Sequence, residues 1–292
     1  MKIVHTNELP IEDMQPQGRG GTYKRRVVLR GEANTPDNFS LLIYYQDGSF
    51  DSPRHHHNFD QFRYQIEGEG DFDRNGKMKP GILGYFPEGA YYGPQSGPPH
   101  TVAVLQFGGP SGSGFLSPEQ SKVALDALKT MGVFEKGVYR RNPGVEGKKN
   151  QDSYEAIWEF VNQRRLVYPQ PQYTAPIMMD TNTYPWSPVE GAPGVAEQTL
   201  GSFTNCKIRA ARYKLEPGAS FVATGRGVYM VLSGRGTLEG ETLQELTTLY
   251  LNDGERATVN ADTTTVIVLM GMPSAALMAK QPPAQSQQHA AE

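Results

Sequence analysis

The stretch HHHNFDQFRYQIEGEG, residues 55–70, combines three consecutive histidines, a run of alternating polar and apolar residues, and a glycine-rich turn. Side chains alternate between the two faces of a β-strand, so His55 and His57 point to one side and His56 to the other. Two imidazoles at positions i and i+2 can bind one cation at about 2.0–2.2 Å. Arg63 lies on the same face as His55 and His57. The stretch therefore predicts a strand with a polar face that carries histidines.

Composition and charge exclude several classes of protein. Apolar residues make up 37% of the 292 residues and charged residues 20%, a globular balance, and the formal net charge is −3. A chain without basic excess is not expected to bind nucleic acid. Apolar runs such as Val266–Met270 are far shorter than the ~20 residues that a membrane helix needs. A single cysteine, Cys206, excludes an intramolecular disulfide. We therefore expect a cytoplasmic, globular protein that does not act at a membrane.

An internal repeat relates the two halves of the chain. The sequence EGEG at 67–70 matches SGRG at 233–236, and PEG at 87–89 matches NDG at 252–254. The second glycine turn follows the first after a similar interval in both copies. Short strands bounded by glycine turns predict two small antiparallel barrels.

The segment between the two copies carries helix signals. Ser117 precedes a proline and stands three residues before Gln120, which is a capping box with proline at the first helical position. A second helix is predicted from about Ser153 to Arg164. The predicted organisation is an N-terminal barrel over 1–115, a helical insertion and irregular linker over 116–200, a C-terminal barrel over 201–280, and a disordered tail over 281–292.

Two motifs resemble those of the cupin superfamily. The pattern H-x-H-x3-Q-x6-G, from His55 to Gly68, resembles the first cupin motif, in which two histidines and a glutamate precede a glycine. The pattern G-x5-P-x-G-x2-Y, from Gly81 to Tyr92, resembles the second motif, whose last position is normally histidine. The chain as a whole resembles a bicupin. The resemblance implies an all-β fold of two jelly-roll barrels separated by a short helical insertion.

In the second copy the positions that correspond to metal ligands are apolar or glycine. They are Phe221, Ala223 and Gly227. The resemblance therefore implies a degenerate C-terminal barrel and places the active site in the N-terminal one.

The resemblance also implies a divalent metal site formed by His55, His57 and Gln61. Fe(II) is the favoured ion, and Mn, Ni or Zn are alternatives, because imidazole suits several metals. Gln61 replaces the usual glutamate and removes a negative charge, so Gln61 could instead be a hydrogen-bonding pocket residue. Tyr92 replaces the third histidine. His100 stands eight residues beyond the expected place and is not predicted to bind the metal. A former metal site that persists as a polar pocket is the alternative reading.

Two further residues are candidates for catalysis. An arginine on the interior face of a barrel requires an anionic partner, so Arg63 is predicted to anchor a substrate carboxylate. The alternative is a salt bridge to a nearby acidic residue (Asp60, Glu67 or Glu69). Tyr92 is predicted to donate a hydrogen bond to a developing oxyanion, or else to form part of the pocket wall.

Three functions are consistent with these residues. The first is a metal-dependent enzyme, a dioxygenase-type oxidoreductase that acts on a small oxygenated or aromatic substrate. The second is a non-redox isomerase, cyclase or lyase that uses histidine and tyrosine as acid and base. The third is a small-molecule-binding cupin without turnover. Resemblance to the family implies a homodimer whose partner is a small molecule.

Overall fold

The N-terminal half of the chain forms a large antiparallel sheet and a small two-stranded sheet. The computed structural model describes residues 1–14 and 20–279. The first nine strands are β1 (Lys2–His5), β2 (Glu12–Met14), β3 (Tyr23–Arg30), β4 (Phe39–Gln46), β5 (Phe59–Glu67), β6 (Gly70–Asp73), β7 (Gly76–Met78), β8 (Ile82–Phe86) and β9 (His100–Gly108). With a later strand, β13 (Ile177–Asp180), they give a seven-stranded sheet in the order β13-β8-β5-β9-β4-β3-β2, and β6 pairs with β7.

The segment that follows contains two helices and a three-stranded sheet. The side chain of Ser117 accepts a hydrogen bond from the backbone N–H of Gln120, whose side chain in turn accepts one from the Ser117 N–H. This is the capping box expected from the sequence. The elements are α1 (Pro118–Lys129), β10 (Gly132–Glu135), β11 (Val138–Arg141), β12 (Asn150–Asp152) and α2 (Ser153–Asn162).

The C-terminal half repeats the architecture with a second seven-stranded sheet, β1-β21-β18-β23-β16-β15-β14, and a four-stranded sheet, β17-β22-β19-β20. Its elements are β13 (Ile177–Asp180), β14 (Ser187–Pro188), β15 (Val195–Phe203), β16 (Ile208–Leu215), β17 (Ser220–Thr224), β18 (Gly227–Ser233), β19 (Gly236–Leu238), β20 (Glu241–Leu243), β21 (Thr247–Leu251), β22 (Arg256–Ala261), β23 (Thr265–Gly271) and α3 (Ala275–Ala279).

Two strands cross between the halves, and here the sheets differ from the predicted division of the chain. Strand β1 pairs with β21 of the C-terminal sheet, although residues 1–115 were assigned to the N-terminal barrel. Strand β13 pairs with β8 of the N-terminal sheet, although it lies in the predicted linker. These pairings join residues that are distant in sequence, so no local pattern identifies them. The predicted tail, 281–292, lies outside the described residues.

The two large sheets pack against each other, and their shared core fixes the orientation of β5. Phe62 of β5 and Tyr85 of β8 contact Phe203 of β15, with the Tyr85 and Phe203 rings stacked at 4.6 Å. Because strand side chains alternate, burying Phe62 between the sheets turns Gln61 and Arg63 into the N-terminal barrel.

The glycine turns of both copies have the backbone that their residue type allows. Gly68 and Gly89 have φ of +66° and +76°, and Gly234 and Gly254 have +100° and +77°. The interior of the second barrel is filled by apolar side chains, which include Phe221 and Ala223. No helix in 1–14 or 20–279 is long and apolar enough to span a membrane.

Candidate active site

A cavity of about 270 Å³ lies inside the N-terminal barrel. Its polar wall includes the side chains that the sequence placed on one face of the strand: His55, His57, Gln61 and Arg63. The insertion also contributes to the lining, with residues of α1 and α2 such as Pro118 and Tyr154. Aromatic residues also line the cavity, among them Tyr23, Tyr44, Phe50, Phe59 and Phe115. The cavity therefore suits a small, planar molecule with polar substituents.

His55 is held by its own backbone and by a neighbouring carbonyl. Its N–H and C=O pair with those of Tyr92, both at 2.9 Å, just before β5 begins. Its Nδ1 lies 2.7 Å from the Pro53 carbonyl, which can only accept, so Nδ1 carries the proton. The lone pair is then on Nε2, the arrangement found in histidines that bind metals.

His57 is positioned by aromatic neighbours. Its ring stacks on Phe59 at 4.5 Å and meets Tyr154 edge-on at 5.2 Å. The His55 and His57 ring centroids are 5.0 Å apart. Imidazoles bound to one ion through nitrogens at about 2.1 Å place their centroids roughly 4.5–5 Å apart when they are adjacent ligands. The spacing of these two histidines therefore fits a shared divalent ion.

Gln61 differs from the two histidines because its amide is already engaged. Its Oε1 accepts hydrogen bonds from Arg63 Nη2 at 2.8 Å and from Arg63 Nε at 3.1 Å. Its Nε2 donates to the Tyr92 hydroxyl at 3.1 Å. A cation on Oε1 would displace the Arg63 guanidinium or meet its positive charge. The donor set thus fits a metal through its histidines and not through Gln61.

The guanidinium of Arg63 is fixed on two sides. It stacks over the rings of Phe86 at 4.3 Å and Tyr92 at 4.8 Å, and Nη2 donates to the Tyr92 hydroxyl at 3.0 Å. Arg63 lies in the wall of the cavity as predicted. Held in this way, it places a fixed positive charge in the cavity wall, which attracts a carboxylate.

Tyr92 lies behind the cavity wall rather than in it. The side chain is 2% exposed and contacts the His55 ring at 4.4 Å. Its hydroxyl accepts from both Gln61 and Arg63. Tyr92 therefore positions residues that face the cavity. It does not itself line the cavity, so this structure does not place its hydroxyl where it could donate a hydrogen bond to a bound substrate.

Comparisons with known proteins support the architecture. No protein-family model and no curated protein matches the sequence. A protein of Nostoc punctiforme provisionally assigned as a dioxygenase has 11% identity and a TM-score of 0.62, with 92% of this chain and 81% of that chain covered. An oxalate decarboxylase of Bacillus subtilis with Mn(II) centres has 14% identity and a TM-score of 0.51, with 92% and 76% covered. This chain has a bicupin fold.

A third similar structure is a Pseudomonas aeruginosa protein provisionally described as glyoxylate-induced. It has 12% identity and a TM-score of 0.52, with 92% of this chain and 90% of that chain covered. At these identities the likeness is one of fold.

His56, the middle histidine of the triplet, lies outside the cavity of the N-terminal barrel. His56 is stacked between Tyr91 at 4.1 Å and Tyr168 at 3.7 Å. Burial lowers the pKa of His56, so its imidazole is neutral at pH 7. His56 is absent from the cavity lining, as the alternation of strand side chains predicts.

Two buried carboxyl groups, Asp60 of β5 and Glu88, lie outside the cavity lining. Asp60 accepts hydrogen bonds from the Tyr85 hydroxyl and the Glu88 N–H, both at 2.8 Å. Glu88 accepts from the Ser111 N–H at 2.6 Å and hydroxyl at 2.7 Å. Burial raises the pKa of Asp60 to about 7, and burial together with the charge of Asp60 raises that of Glu88 to about 8. This acidic pair faces away from the cavity.

The insertion of the bicupin contributes residues that sequence reasoning missed. Burial raises the pKa of Tyr154 well above its ordinary value, so its hydroxyl stays protonated and donates to Asn58 Oδ1 at 2.7 Å. Asn58 Nδ2 donates in turn to Ser113 Oγ at 2.9 Å. The hydrogen bond between Tyr154 and Asn58 joins α2 to the residue that follows His57. No local signal showed that the insertion folds over the barrel.

Two polar residues of β9 also line the cavity. His100, which was not predicted to bind a metal, stands near Gln65 and Gly70 with its Nδ1 2.9 Å from the Pro98 carbonyl. Gln106 lies across from Gln61 in the neighbouring strand. The alternation along β9 could have indicated both, because they share a face. Within 1–14 and 20–279, this cavity included, no group of three His, Cys, Asp or Glu side chains is placed to hold a metal.

Proposed function

We propose that this bicupin is a metal-dependent enzyme that acts on a small carboxylate-bearing substrate in its N-terminal barrel. The observation that carries the proposal is the composition of the cavity wall. The imidazole rings of His55 and His57, whose centroids are 5.0 Å apart, line the same cavity as the guanidinium of Arg63. Two imidazoles and one cationic fork are the groups that would hold a metal ion and an anionic substrate next to each other.

His55 and His57 would hold the metal. The Nδ1–H bond of His55 to the Pro53 carbonyl orients one ring, and the stack on Phe59 orients the other. A bound Fe(II) would supply dioxygenase chemistry, whereas Mn, Ni or Zn would supply Lewis-acid chemistry. Gln61 keeps Arg63 in place instead of completing the metal shell.

Arg63 would bind the substrate carboxylate. Its stacking on Phe86 and Tyr92 removes side-chain freedom before the ligand arrives, which lowers the entropic cost of binding. Arg63→Lys keeps the charge but loses the planar fork, so we expect carboxylate affinity to fall about 10-fold or more. Aromatic cavity residues favour a planar substrate, and an oxidative reaction on it is the proposed activity.

Elemental analysis of untagged protein tests the metal. We expect about one equivalent of iron, manganese, nickel or zinc per chain in the wild type, and loss of this metal in His57→Ala. His56→Ala is the matched control, because it removes an adjacent imidazole that lies outside the cavity. No metal in the wild type after reconstitution with each of the four ions would refute the proposal.

A non-redox reaction is the second candidate, and one observation favours it. Among residues 1–14 and 20–279, no carboxylate joins His55 and His57 in a group of three ligands, and such a metal site would be more electrophilic than the usual cupin set of three histidines and a glutamate. Turnover of the same substrate under strict anaerobic conditions would identify an isomerase, cyclase or lyase. Oxygen uptake in step with product formation supports the dioxygenase assignment, and ligand-induced stabilisation without any product would indicate a binding protein.

A further inference from the structure

Gln106 lies in the cavity wall directly beside the residues of the proposed site. Its strand, β9, pairs with β5 so that Gln106 is opposite Gln61, and Arg63 is opposite Val104. Gln106 and Arg63 are therefore diagonal neighbours, whose Cα atoms are about 7–8 Å apart in antiparallel sheets. Val102 and Val104, on the same face of β9, also line the cavity.

The hydrogen bonding of Gln106 distinguishes it from neighbouring glutamines of the wall. The amides of Gln61, Gln65 and Gln95 bond to other residues of the protein. The amide of Gln106 bonds to none of the residues in 1–14 and 20–279. An amide offers two donors and one acceptor, so Gln106 can bind either a hydroxyl or a carbonyl of a ligand.

Arg63 and Gln106 are polar side chains of the cavity wall on adjacent strands, one diagonal step apart. Ser40 stands beside Gln106 on β4, but it is 1% exposed and absent from the cavity lining. Val102 and Val104 supply apolar surface. The Arg63 guanidinium turns towards Gln61, with Nη2 2.8 Å from Gln61 Oε1, and Gln61 is the residue opposite Gln106. A ligand that Arg63 binds therefore lies close to the Gln106 amide.

We propose that Gln106 is a specificity-determining residue that binds a hydroxyl or carbonyl oxygen of a substrate whose carboxylate is bound by Arg63. This inference rests on the proposed function. It names the substrate class as an aromatic or planar carboxylic acid that carries a second oxygen, of the type of a hydroxybenzoate.

The test compares the binding of benzoate and the three monohydroxybenzoates by thermal shift and calorimetry of the protein as purified. In the wild type we expect at least one of the three monohydroxybenzoates to bind about 3–10-fold more tightly than benzoate, the value of one hydrogen bond. Gln106→Leu, or Gln106→Met if the first variant folds poorly, should abolish this preference and leave benzoate affinity within about twofold. Ser40→Ala is the matched control and should keep the preference.

The variants of Gln106, Gln46 and Arg63 distinguish a failure of this inference from a failure of the proposed function. If Gln106→Leu retains the preference, or if Gln46→Leu at the far end of β4 abolishes it instead, Gln106 does not read the second oxygen. If Arg63→Lys binds benzoate as tightly as the wild type does, the carboxylate anchor is wrong, whatever the result at Gln106. If none of the four compounds binds the wild type, both proposals are overturned.

Discussion

Replacing Asp60 with asparagine is expected to change how the stability of the protein depends on pH. Asp60, a residue of β5, is fully buried and accepts hydrogen bonds from the Tyr85 hydroxyl and from the Glu88 N–H. Burial raises its pKa from 3.8 to about 7. Asparagine has nearly the same shape, keeps an acceptor for the Glu88 N–H, and can donate to the Tyr85 hydroxyl.

The sign and the size follow from proton linkage. A carboxyl with a raised pKa binds more protons in the folded state than in the unfolded state, so stability falls as pH rises between 3.8 and about 7. Each pH unit in this window lowers the free energy of unfolding by about 1.4 kcal/mol for one such group. Since the folded-state group is half-ionised at its pKa of about 7, Asp60→Asn should gain about 2 kcal/mol on the wild type between pH 5 and pH 7. Removing the charge of Asp60 also removes one of the causes that raise the pKa of Glu88.

Urea unfolding at pH 5, 6, 7 and 8, at constant ionic strength and with a chelator present, measures this difference. Asp126→Asn on the exposed face of α1 makes the same change of charge and serves as the control. If the wild type and Asp60→Asn give parallel curves of unfolding free energy against pH, the acidic pair does not titrate as reasoned here.

Three further substitutions test the fold. Ser117→Ala removes the capping box of α1 and should lower the free energy of unfolding by about 1 kcal/mol in urea titrations, whereas a neutral result would contradict the cap. Gly89→Ala adds a Cβ 2.3 Å from the Pro169 carbonyl oxygen at a positive φ, so we expect a loss of at least about 2 kcal/mol, visible as a lower Tm by calorimetry. Arg226→Met breaks the 2.7 Å ion pair with Asp37, which joins the two halves of the chain, and should lower the free energy of unfolding by about 2–3 kcal/mol; an unchanged guanidinium chloride midpoint would show that the pair is dispensable.

Short-range patterns in the sequence predicted the parts of the fold that depend on local chemistry. The glycine turns at Gly68 and Gly234 have the positive φ that their spacing suggested, and Ser117 caps α1 as its box indicated. The alternation after His55 placed that residue and His57 in one cavity and turned His56 away from it. Each of these features is set within a few residues, so the sequence carries it directly.

Features that depend on contacts between distant segments could not be predicted. Whether Gln61 faces a metal or an arginine is decided by the conformation of the Arg63 side chain, which no spacing encodes. The retreat of Tyr92 behind the wall depends on its pairing with His55. The place of Tyr154 in the cavity lining depends on how the insertion docks against Asn58.

The exchange of strands between the halves has a consequence for synthesis. Strand β1, at Lys2–His5, pairs with Thr247–Tyr250, some 245 residues later in the chain. A ribosome adds about 5–20 residues per second, so roughly 10–50 s pass between the synthesis of β1 and the synthesis of the strand with which it pairs. This four-residue edge strand is therefore added to the C-terminal sheet only after Thr247–Tyr250 has been synthesised, so the edge of that sheet is completed late in translation.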